Sequence, residues 1–167
     1  MNKKIIDKIR EKREISQLCD GDIEKAYSIF ENEDIPEKEK IDLTKELLRK
    51  VFSAFVSKKL LSLKDKEPKW ILRKHLSTRE RLPFYEEVYR NIFSEIKKAS
   101  VIDLGAGING FSYGSFNKLN LDINYTAIES VGQLVNLMNF YFTKKKIKGK
   151  AIHESLFNLG KIKEILF

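Results

Sequence analysis

Residues 100–110 read SVIDLGAGING, an apolar segment that carries an acid, Asp103, and runs into a glycine-rich turn. A short apolar run bounded by a turn signal is typical of a buried strand. Glycines after a strand let the backbone approach a ligand closely, because a side chain there would collide with it. This stretch therefore predicts the first strand and the ligand-binding turn of an α/β fold.

Two further strands and the helices between them extend this pattern. Residues 125–129 (YTAIE) and 149–154 (GKAIHE) are short segments that each end in an acid, and helical spacing occupies residues 111–119 and 133–142. Alternating strand and helix signals are typical of a parallel sheet. We expect a doubly wound, Rossmann-like sheet, with residues 161–167 forming either a short helix or the opening of a fourth strand.

The glycine turn is compatible with two kinds of cofactor. Gly105, Gly107 and Gly110 match the GxGxxG pattern of dinucleotide sites, and Glu129 lies at a suitable distance downstream to bind a ribose. A turn that binds pyrophosphate gains nothing from a carboxylate at Asp103. S-Adenosylmethionine has no phosphate, and its ammonium group tolerates a nearby acid. The pattern therefore favours S-adenosylmethionine over a nicotinamide dinucleotide.

The chain before residue 98 differs in composition from the rest. Charged residues make up 43 of the first 98 positions and 13 of the last 69, and only one of the eight glycines, Gly21, precedes residue 99. Apolar residues recur there at helical spacing, most clearly from Ile41 to Val56, and Asp22 is placed to cap a second helix. We predict a helical domain over 1–98 and a partial α/β domain over 99–167.

Residues 72–83, LRKHLSTRERLP, end the helical region with a concentration of cations. Ser77 and Glu80 have the spacing of a capping box, which would start a helix. His75, Arg79 and Arg81 are not needed for such a cap, and cations beside a helix start suit a carboxylate or phosphate. A purely structural role for His75 is the alternative interpretation.

The net charge of +8 points to an anionic partner, most often nucleic acid. Residues 49–98 hold 14 basic and 6 acidic side chains, so the surplus is concentrated there. These cations either solvate helix ends or contact phosphates. The residues predicted to bind nucleic acid are Lys58, Lys59, Lys64, Lys66, Lys69, Arg73, Lys74 and Arg79.

Several classes of protein are excluded by the composition. No apolar run approaches the roughly 18–20 residues of a membrane span, and no signal peptide follows Met1. The single cysteine, Cys19, permits no internal disulfide. We therefore expect a cytoplasmic protein without a membrane partner.

Two motifs together resemble one family, the aminoglycoside-resistance 16S ribosomal RNA methyltransferases. They are HxSTxER at residues 75–81 and VIDLGAGIN at residues 101–109, and the resemblance extends from about residue 45 to the end. It implies a helical domain that docks the small ribosomal subunit, followed by a class I methyltransferase domain. It also implies S-adenosylmethionine as cofactor and N7 of a guanine in the decoding A-site as target.

The resemblance assigns roles to individual residues. It implies that Arg81 pairs with the cofactor carboxylate, that Glu129 binds the ribose and that Glu154 lies near the adenine. The turn from Gly105 through Ala106 to Gly107 would line the aminoacyl group. His75, Asp103 and Asn109 complete the predicted cofactor site, with a tight-turn role as the alternative for Asn109. This chain departs from the family at Ala106, where Cys is common, and at Gly110, where Pro is usual.

The number of residues after 98 suggests an incomplete sheet. Seven strands and six helices need roughly 170 residues, whereas 69 remain here, enough for three strands. We expect either a truncated chain or a partner chain that completes the sheet. A non-catalytic rRNA-binding remnant and a fragment of a nicotinamide-dependent oxidoreductase are the alternative functions. No catalytic side chain or metal ligand is predicted, because guanine N7 bears no proton to remove.

Overall fold

The computed structural model describes residues 1–52 and 66–166. Within those ranges, six helices precede the first strand: α1 Lys3–Arg10, α2 Asp20–Tyr27, α3 Glu37–Phe52, α4 Pro68–Leu72, α5 Leu76–Arg81 and α6 Tyr85–Ile92. Strands and helices then alternate: β1 Lys98–Leu104, a 3-10 helix Asn109–Tyr113, α7 Gly114–Lys118, β2 Asp122–Glu129, α8 Gly132–Lys144, β3 Gly149–His153 and α9 Leu159–Leu166.

The three strands form one parallel sheet in the order β1-β2-β3. Asp103 lies opposite Ala127, and Glu129 lies opposite His153, so the acids predicted at strand ends share one edge of the sheet. This confirms the predicted fold class, a helical region followed by a partial Rossmann-like sheet. In the described residues, β1 is hydrogen-bonded to a strand only on its β2 side. The segment or partner predicted to complete the sheet stays a prediction.

An aromatic cluster fills the space between β2 and the helices that flank it. Tyr125 on β2 packs edge-on against Phe142 of α8 at a ring separation of 5.9 Å, and Phe116 of α7 stacks on Tyr89 of α6 at 4.1 Å. The side chains of Phe116, Tyr125 and Phe142 are all at most 2% exposed. The core thus connects α6, a helix of the predicted domain 1–98, to the sheet.

Two local predictions in the helical region are wrong. Helix α2 begins at Asp20 with Cys19 in the capping position, so Asp22 lies inside its first turn. Helix α5 begins at Leu76, so Ser77 lies inside the helix and forms no capping box with Glu80. The hydroxyl of Thr78 donates to the carbonyl of Leu72, which ties α5 to α4.

Helix α6 buries only part of its apolar face. Only Tyr85 and Tyr89 of this helix are buried, whereas Val88 and Ile92 are 43% and 60% exposed. Periodicity identifies a helix and its apolar face. It does not show how far the neighbouring elements cover that face.

The segment between α1 and α2 directly contacts the connection that follows β2. Leu18 forms an antiparallel bridge with Val131, the amide of Cys19 donates to the carbonyl of Ser130 at 3.1 Å, and the amide of Gly132 donates to the carbonyl of Gln17 at 2.9 Å. The two compositional regions therefore share a backbone contact. The domain boundary near residue 98 stays a prediction. No helix in the described part of the chain is both long and apolar enough to span a bilayer.

Candidate functional site

The turn after β1 is tied to the end of β2 by its own backbone amides. Gly105 and Gly107 adopt left-handed φ angles of 67° and 54°, which other residues adopt only with strain. The amides of Gly105 and Ala106 both donate to the carbonyl of Ile128, at 2.9 and 3.1 Å. The amide of Gly107 donates to Oε2 of Glu129 at 2.7 Å. The predicted turn and the predicted ribose-binding acid are therefore in direct contact.

Glu129 is buried at the carboxyl end of β2, with 7% of its surface exposed. Its second oxygen, Oε1, accepts a hydrogen bond from the amide of Val131 at 2.9 Å. Burial raises the pKa of Glu129, the amides of Val131 and Gly107 oppose that shift, and the charge of Asp22 adds to it. Each carboxylate oxygen retains a lone pair after these bonds, so the group can accept further hydrogen bonds from a ligand.

A cavity of about 260 Å³ opens beside this turn. Gly105, Gly107 and Glu129 line it, together with apolar side chains of the β2–α8 connection and of α8 that include Val131 and Leu134. It lies at the carboxyl ends of the strands, the edge at which open parallel sheets bind ligands. An apolar lining with a carboxylate at one side suits a flat base attached to a hydroxyl-bearing sugar.

The N-terminal helix α2 contributes a residue to this cavity that the sequence analysis missed. Asp22 lines the cavity with Glu129, and burial raises the pKa of its carboxyl group. Within residues 1–52 and 66–166, the Oδ2 atom of Asp22 has no hydrogen-bond partner. Sequence spacing suggested a helix cap at this position, and it carried no signal that Asp22 would share a cavity with Glu129, 107 residues further along the chain.

The motif around residue 75 meets the glycine turn. A Cβ placed on Gly107 would lie 3.6 Å from Nδ1 of His75, so the imidazole packs against the turn, and His75 is 4% exposed. Arg81 is exposed, and its Nε donates to the carbonyl of Ser77 at 3.0 Å. Burial raises the pKa of Tyr85 to about 12, and the nearby charge of Arg81 opposes that shift. Both motifs therefore converge on one side of the sheet.

Asp103 and Asn109 belong to a hydrogen-bond network that includes two tyrosines. Oδ2 of Asp103 accepts from Nδ2 of Asn109 at 2.7 Å and also from the hydroxyl of Tyr125. The hydroxyl of Tyr85 donates to Oδ1 of Asn109 at 2.6 Å. Sequence analysis missed both tyrosines, because their positions fit the apolar patterns of a helix and a strand.

Glu154 lies beside the cavity but faces a second one. Its backbone amide donates to the carbonyl of Glu129 at 3.1 Å, whereas its side chain lines a neighbouring cavity of about 710 Å³. Oε2 of Glu154 lies 3.6 Å from Nζ of Lys161, and Oε1 accepts from the amide of Ser155. Phe157 lines both cavities. The contact of Glu154 with an adenine stays a prediction.

Close packing explains the glycine at position 110, one of the two departures from the family pattern. A Cβ at this position would lie 2.7 Å from the ring of Phe142 and 3.0 Å from the sulfur of Met138. The 3-10 helix therefore approaches α8 more closely than any side chain at residue 110 would allow. Ala106, the other departure, is 5% exposed within the core.

The predicted RNA-binding cations are exposed wherever the structure describes them. Lys66, Lys69, Arg73, Lys74 and Arg79 all lie on the surface, and Nζ of Lys74 lies 3.7 Å from the centre of the Trp70 ring. Lys58, Lys59 and Lys64 lie outside the described residues, as does the predicted apolar pair Phe55 and Val56.

A family profile described as ribosomal RNA methyltransferase (FmrO) matches residues 44–159, which is more than half of the chain. The chain belongs to the FmrO family of ribosomal RNA methyltransferases. The match spans both sequence motifs and the three strands, so it confirms the family resemblance inferred from residues 75–81 and 101–109. Among curated proteins, none matches the sequence significantly.

Solved structures share the fold of this FmrO-family chain. It is similar to the 16S rRNA methylase RmtB and to an rRNA methylase from Escherichia coli, each with a TM-score of 0.77 and 17% identity. Both alignments cover 91% of this chain and 65% of the other. The 16S rRNA methyltransferase RmtF in complex with S-adenosyl-L-homocysteine gives a TM-score of 0.72 at 18% identity, covering 91% of this chain and 63% of RmtF. The chain thus spans slightly less than two thirds of the length of these proteins, and at this identity the likeness establishes the fold.

Proposed function

We propose that this protein methylates 16S ribosomal RNA, with S-adenosylmethionine as methyl donor and N7 of a guanine in the decoding A-site as target. One observation carries the proposal. His75 packs on Gly107, whose amide in turn binds Glu129, so three residues from distant parts of the sequence meet at the turn after β1, beside the cavity that Gly107 and Glu129 line. Family membership and the likeness to RmtF, whose structure contains S-adenosyl-L-homocysteine, support the same cofactor.

The backbone of the turn fits a cofactor without phosphate. A pyrophosphate site needs free amides at the glycine turn and at a helix N-terminus. Here the amides of Gly105, Ala106 and Gly107 all donate within the protein, and the amide of Asn109 donates to the carbonyl of Ala106 at 2.8 Å. This arrangement favours S-adenosylmethionine over the nicotinamide dinucleotide alternative.

The proposed roles follow the chemistry of each side chain. Glu129 accepts hydrogen bonds from the two ribose hydroxyls, and Arg81 pairs with the cofactor carboxylate once its side chain leaves the Ser77 carbonyl. Asp103 attracts the cofactor ammonium. The glycine turn contacts the aminoacyl chain, and Glu154 approaches the adenine.

The reaction needs positioning rather than a general base. S-Adenosylmethionine supplies a methyl group on a sulfonium. The lone pair of guanine N7 forms the new bond to that carbon while the sulfur–carbon bond breaks, and no proton has to be removed. The contribution of the protein is to hold the two reactants in line, which is worth several orders of magnitude in rate.

Isothermal titration calorimetry on the chain tests the cofactor part of the proposal. We expect binding of S-adenosyl-L-homocysteine and of 5′-methylthioadenosine, which has the same nucleoside and sulfur but no amino acid group. Arg81→Ala should weaken the first ligand about tenfold and leave the second unchanged, because a charge-assisted pair contributes on that order. Arg90→Ala, an exposed arginine of α6, is the matched control. Heat with NAD and none with either adenosyl ligand would contradict the proposal.

Methyl transfer to purified 30S subunits, followed by chemical cleavage at N7-methylguanosine, tests the substrate part. Replacing Lys66, Lys69 and Arg73 together by alanine should weaken subunit binding and lower its dependence on salt. The variant contacts fewer phosphates, so fewer counterions are released from the RNA when it binds. Lys3 and Lys4, which are exposed on α1, form the control pair. Subunit binding without methyl transfer would favour the non-catalytic alternative. A ribosomal substrate agrees with the predicted cytoplasmic location.

A further inference from the structure

Asp103 is held by two uncharged donors on one of its oxygens. The amide of Asn109 donates to Oδ2 at 2.7 Å, and the hydroxyl of Tyr125 donates to the same atom. We propose that Tyr125 and Asn109 are positioning residues, which hold the Asp103 carboxylate so that its other oxygen binds the ammonium group of the cofactor. This inference rests on the proposed function and adds to it a set of residues that select the amino acid end of the cofactor.

The two donors leave the charge of Asp103 available. Tyr125 and Asn109 are both neutral, so their hydrogen bonds orient the carboxylate without cancelling its charge. Among the residues that the structure describes, no hydrogen bond to Oδ1 of Asp103 is present, and the side chain is partly exposed. A partly exposed, oriented carboxylate attracts an ammonium group, whereas a carboxylate paired with arginine would be neutralised.

The position of the Tyr125 hydroxyl is determined by packing. Its side chain is 1% exposed, and its ring makes edge-on contacts with Tyr113 at 6.3 Å and with Phe142 at 5.9 Å. Tyr125 and Ala127 lie on the same face of β2, and Ala127 is opposite Asp103. The tyrosine therefore reaches Asp103 diagonally across the strand pair, and its ring has little freedom to turn away.

The side-chain amide of Asn109 is held between Tyr85 and Asp103, and the carboxylate, which only accepts hydrogen bonds, determines its orientation. The hydroxyl of Tyr85 on α6 donates to Oδ1 of Asn109 at 2.6 Å, which leaves Nδ2 to face Asp103. A flipped amide would place its oxygen against the carboxylate oxygen, which is repulsive. Helix α6 thus supports the Asp103 carboxylate through two successive hydrogen bonds.

The test compares two ligands that differ only in the amino acid group. Calorimetry is carried out on the full chain with S-adenosyl-L-homocysteine and with 5′-methylthioadenosine. Tyr125→Phe removes one donor and keeps the ring. We expect S-adenosyl-L-homocysteine to bind about tenfold more weakly and 5′-methylthioadenosine to bind as before, since a hydrogen bond to a charged group contributes on that order. Asn109→Ala should show the same selectivity and serves as the second variant should Tyr125→Phe fold poorly.

Tyr113→Phe is the matched control. Its hydroxyl donates to the carbonyl of Ile123 at 2.6 Å in the same aromatic cluster, away from Asp103, so neither ligand should be affected. Unchanged binding of both ligands in both variants, or an equal loss for both ligands, would overturn the inference and leave the proposed function intact. Wild-type protein that binds neither ligand would overturn the proposed function itself.

Discussion

The amide of Gly107 and the carboxylate of Glu129 are joined by a 2.7 Å hydrogen bond across 22 residues of sequence. This bond closes the turn after β1 onto the end of β2, and it places a buried carboxylate at the mouth of the candidate cofactor cavity. The same contact therefore stabilises the fold and orients the group that we expect to bind the ribose.

Replacing Glu129 by alanine should impair both roles. The amides of Gly107 and Val131 lose their acceptor, so we expect the free energy of unfolding to fall by about 1–3 kcal/mol. Urea denaturation measures this change, and calorimetry should show a loss of binding for both adenosyl ligands. Retained binding of 5′-methylthioadenosine would contradict the ribose assignment.

The effect of Glu129 on stability should depend on pH. Because burial raises the pKa of this carboxyl group above its usual value of 4.5, its ionisation opposes folding. The loss of stability that this ionisation causes is complete above the raised pKa of the folded state and disappears below the usual pKa of the unfolded state. The stability difference between the wild type and Glu129→Ala should therefore increase as the pH is lowered from neutrality to about 5. Urea denaturation at both pH values checks the sign, and a difference that shrinks on acidification would contradict it.

Gly110 should tolerate no side chain. A Cβ there would lie 2.7 Å from the buried ring of Phe142, so Gly110→Ala should cost about 1–3 kcal/mol through overpacking. A Cβ on Gly114 would meet no atom within 4 Å, and Gly114→Ala is therefore the control. Thermal unfolding of the two variants should separate them by several degrees. Equal melting temperatures would show that the 3-10 helix can move away from α8.

The burial of Leu18, which lies between α1 and α2 and pairs with Val131 after β2, should stabilise the chain. Leu18 is 1% exposed where it bridges to Val131, so Leu18→Ala should lower the free energy of unfolding by about 2–5 kcal/mol. Leu159, which is 67% exposed, provides the matched leucine control. If Leu18→Ala and Leu159→Ala unfold at the same urea concentration, residues 15–19 do not pack on the sheet in solution.

Cys19 should react slowly in the folded protein. Burial raises the pKa of its thiol from 9.0 to about 12, and the charges of Asp22 and Glu154 add to the shift. Because the thiolate is the reactive form, alkylation by iodoacetamide near pH 8 should be slow in buffer and fast in urea. The rate is followed by mass spectrometry. A fast reaction of the folded chain would mean that residue 19 is more accessible than its packing indicates.

Local patterns allowed the sheet and much of the candidate site to be predicted. The three strands, their parallel order and the acid at the end of β2 are all visible in short stretches, because strand periodicity and glycine turns are encoded within about ten residues. The family resemblance placed the motif at residues 75–81 and the turn at 101–109 in one predicted cofactor site, and that role stays a prediction. The structure then showed His75 against Gly107.

Other features depend on contacts between distant elements. Tyr85 and Tyr125 occupy apolar positions of a helical and a strand pattern. Only the folded structure shows that their hydroxyls donate hydrogen bonds to Asn109 and Asp103. The capping box at Ser77 was wrong because α5 begins at Leu76, which places Ser77 inside the helix. The bond from the hydroxyl of Thr78 to the carbonyl of Leu72 is likewise a contact that spacing alone does not contain.

Residue identity and local spacing are enough to predict the parallel α/β architecture and the chemical types of the side chains at the turn, whereas the family followed from the resemblance of two motifs. Only the folded chain shows which backbone amides already donate hydrogen bonds within the protein. There the turn amides bind Ile128 and Glu129 instead of a phosphate, and Asp22 shares a cavity with Glu129. Sequence and structure differ in this respect because each donor or acceptor can form only a limited number of hydrogen bonds. Whether a group is available to a ligand depends on every neighbour that folding brings to it.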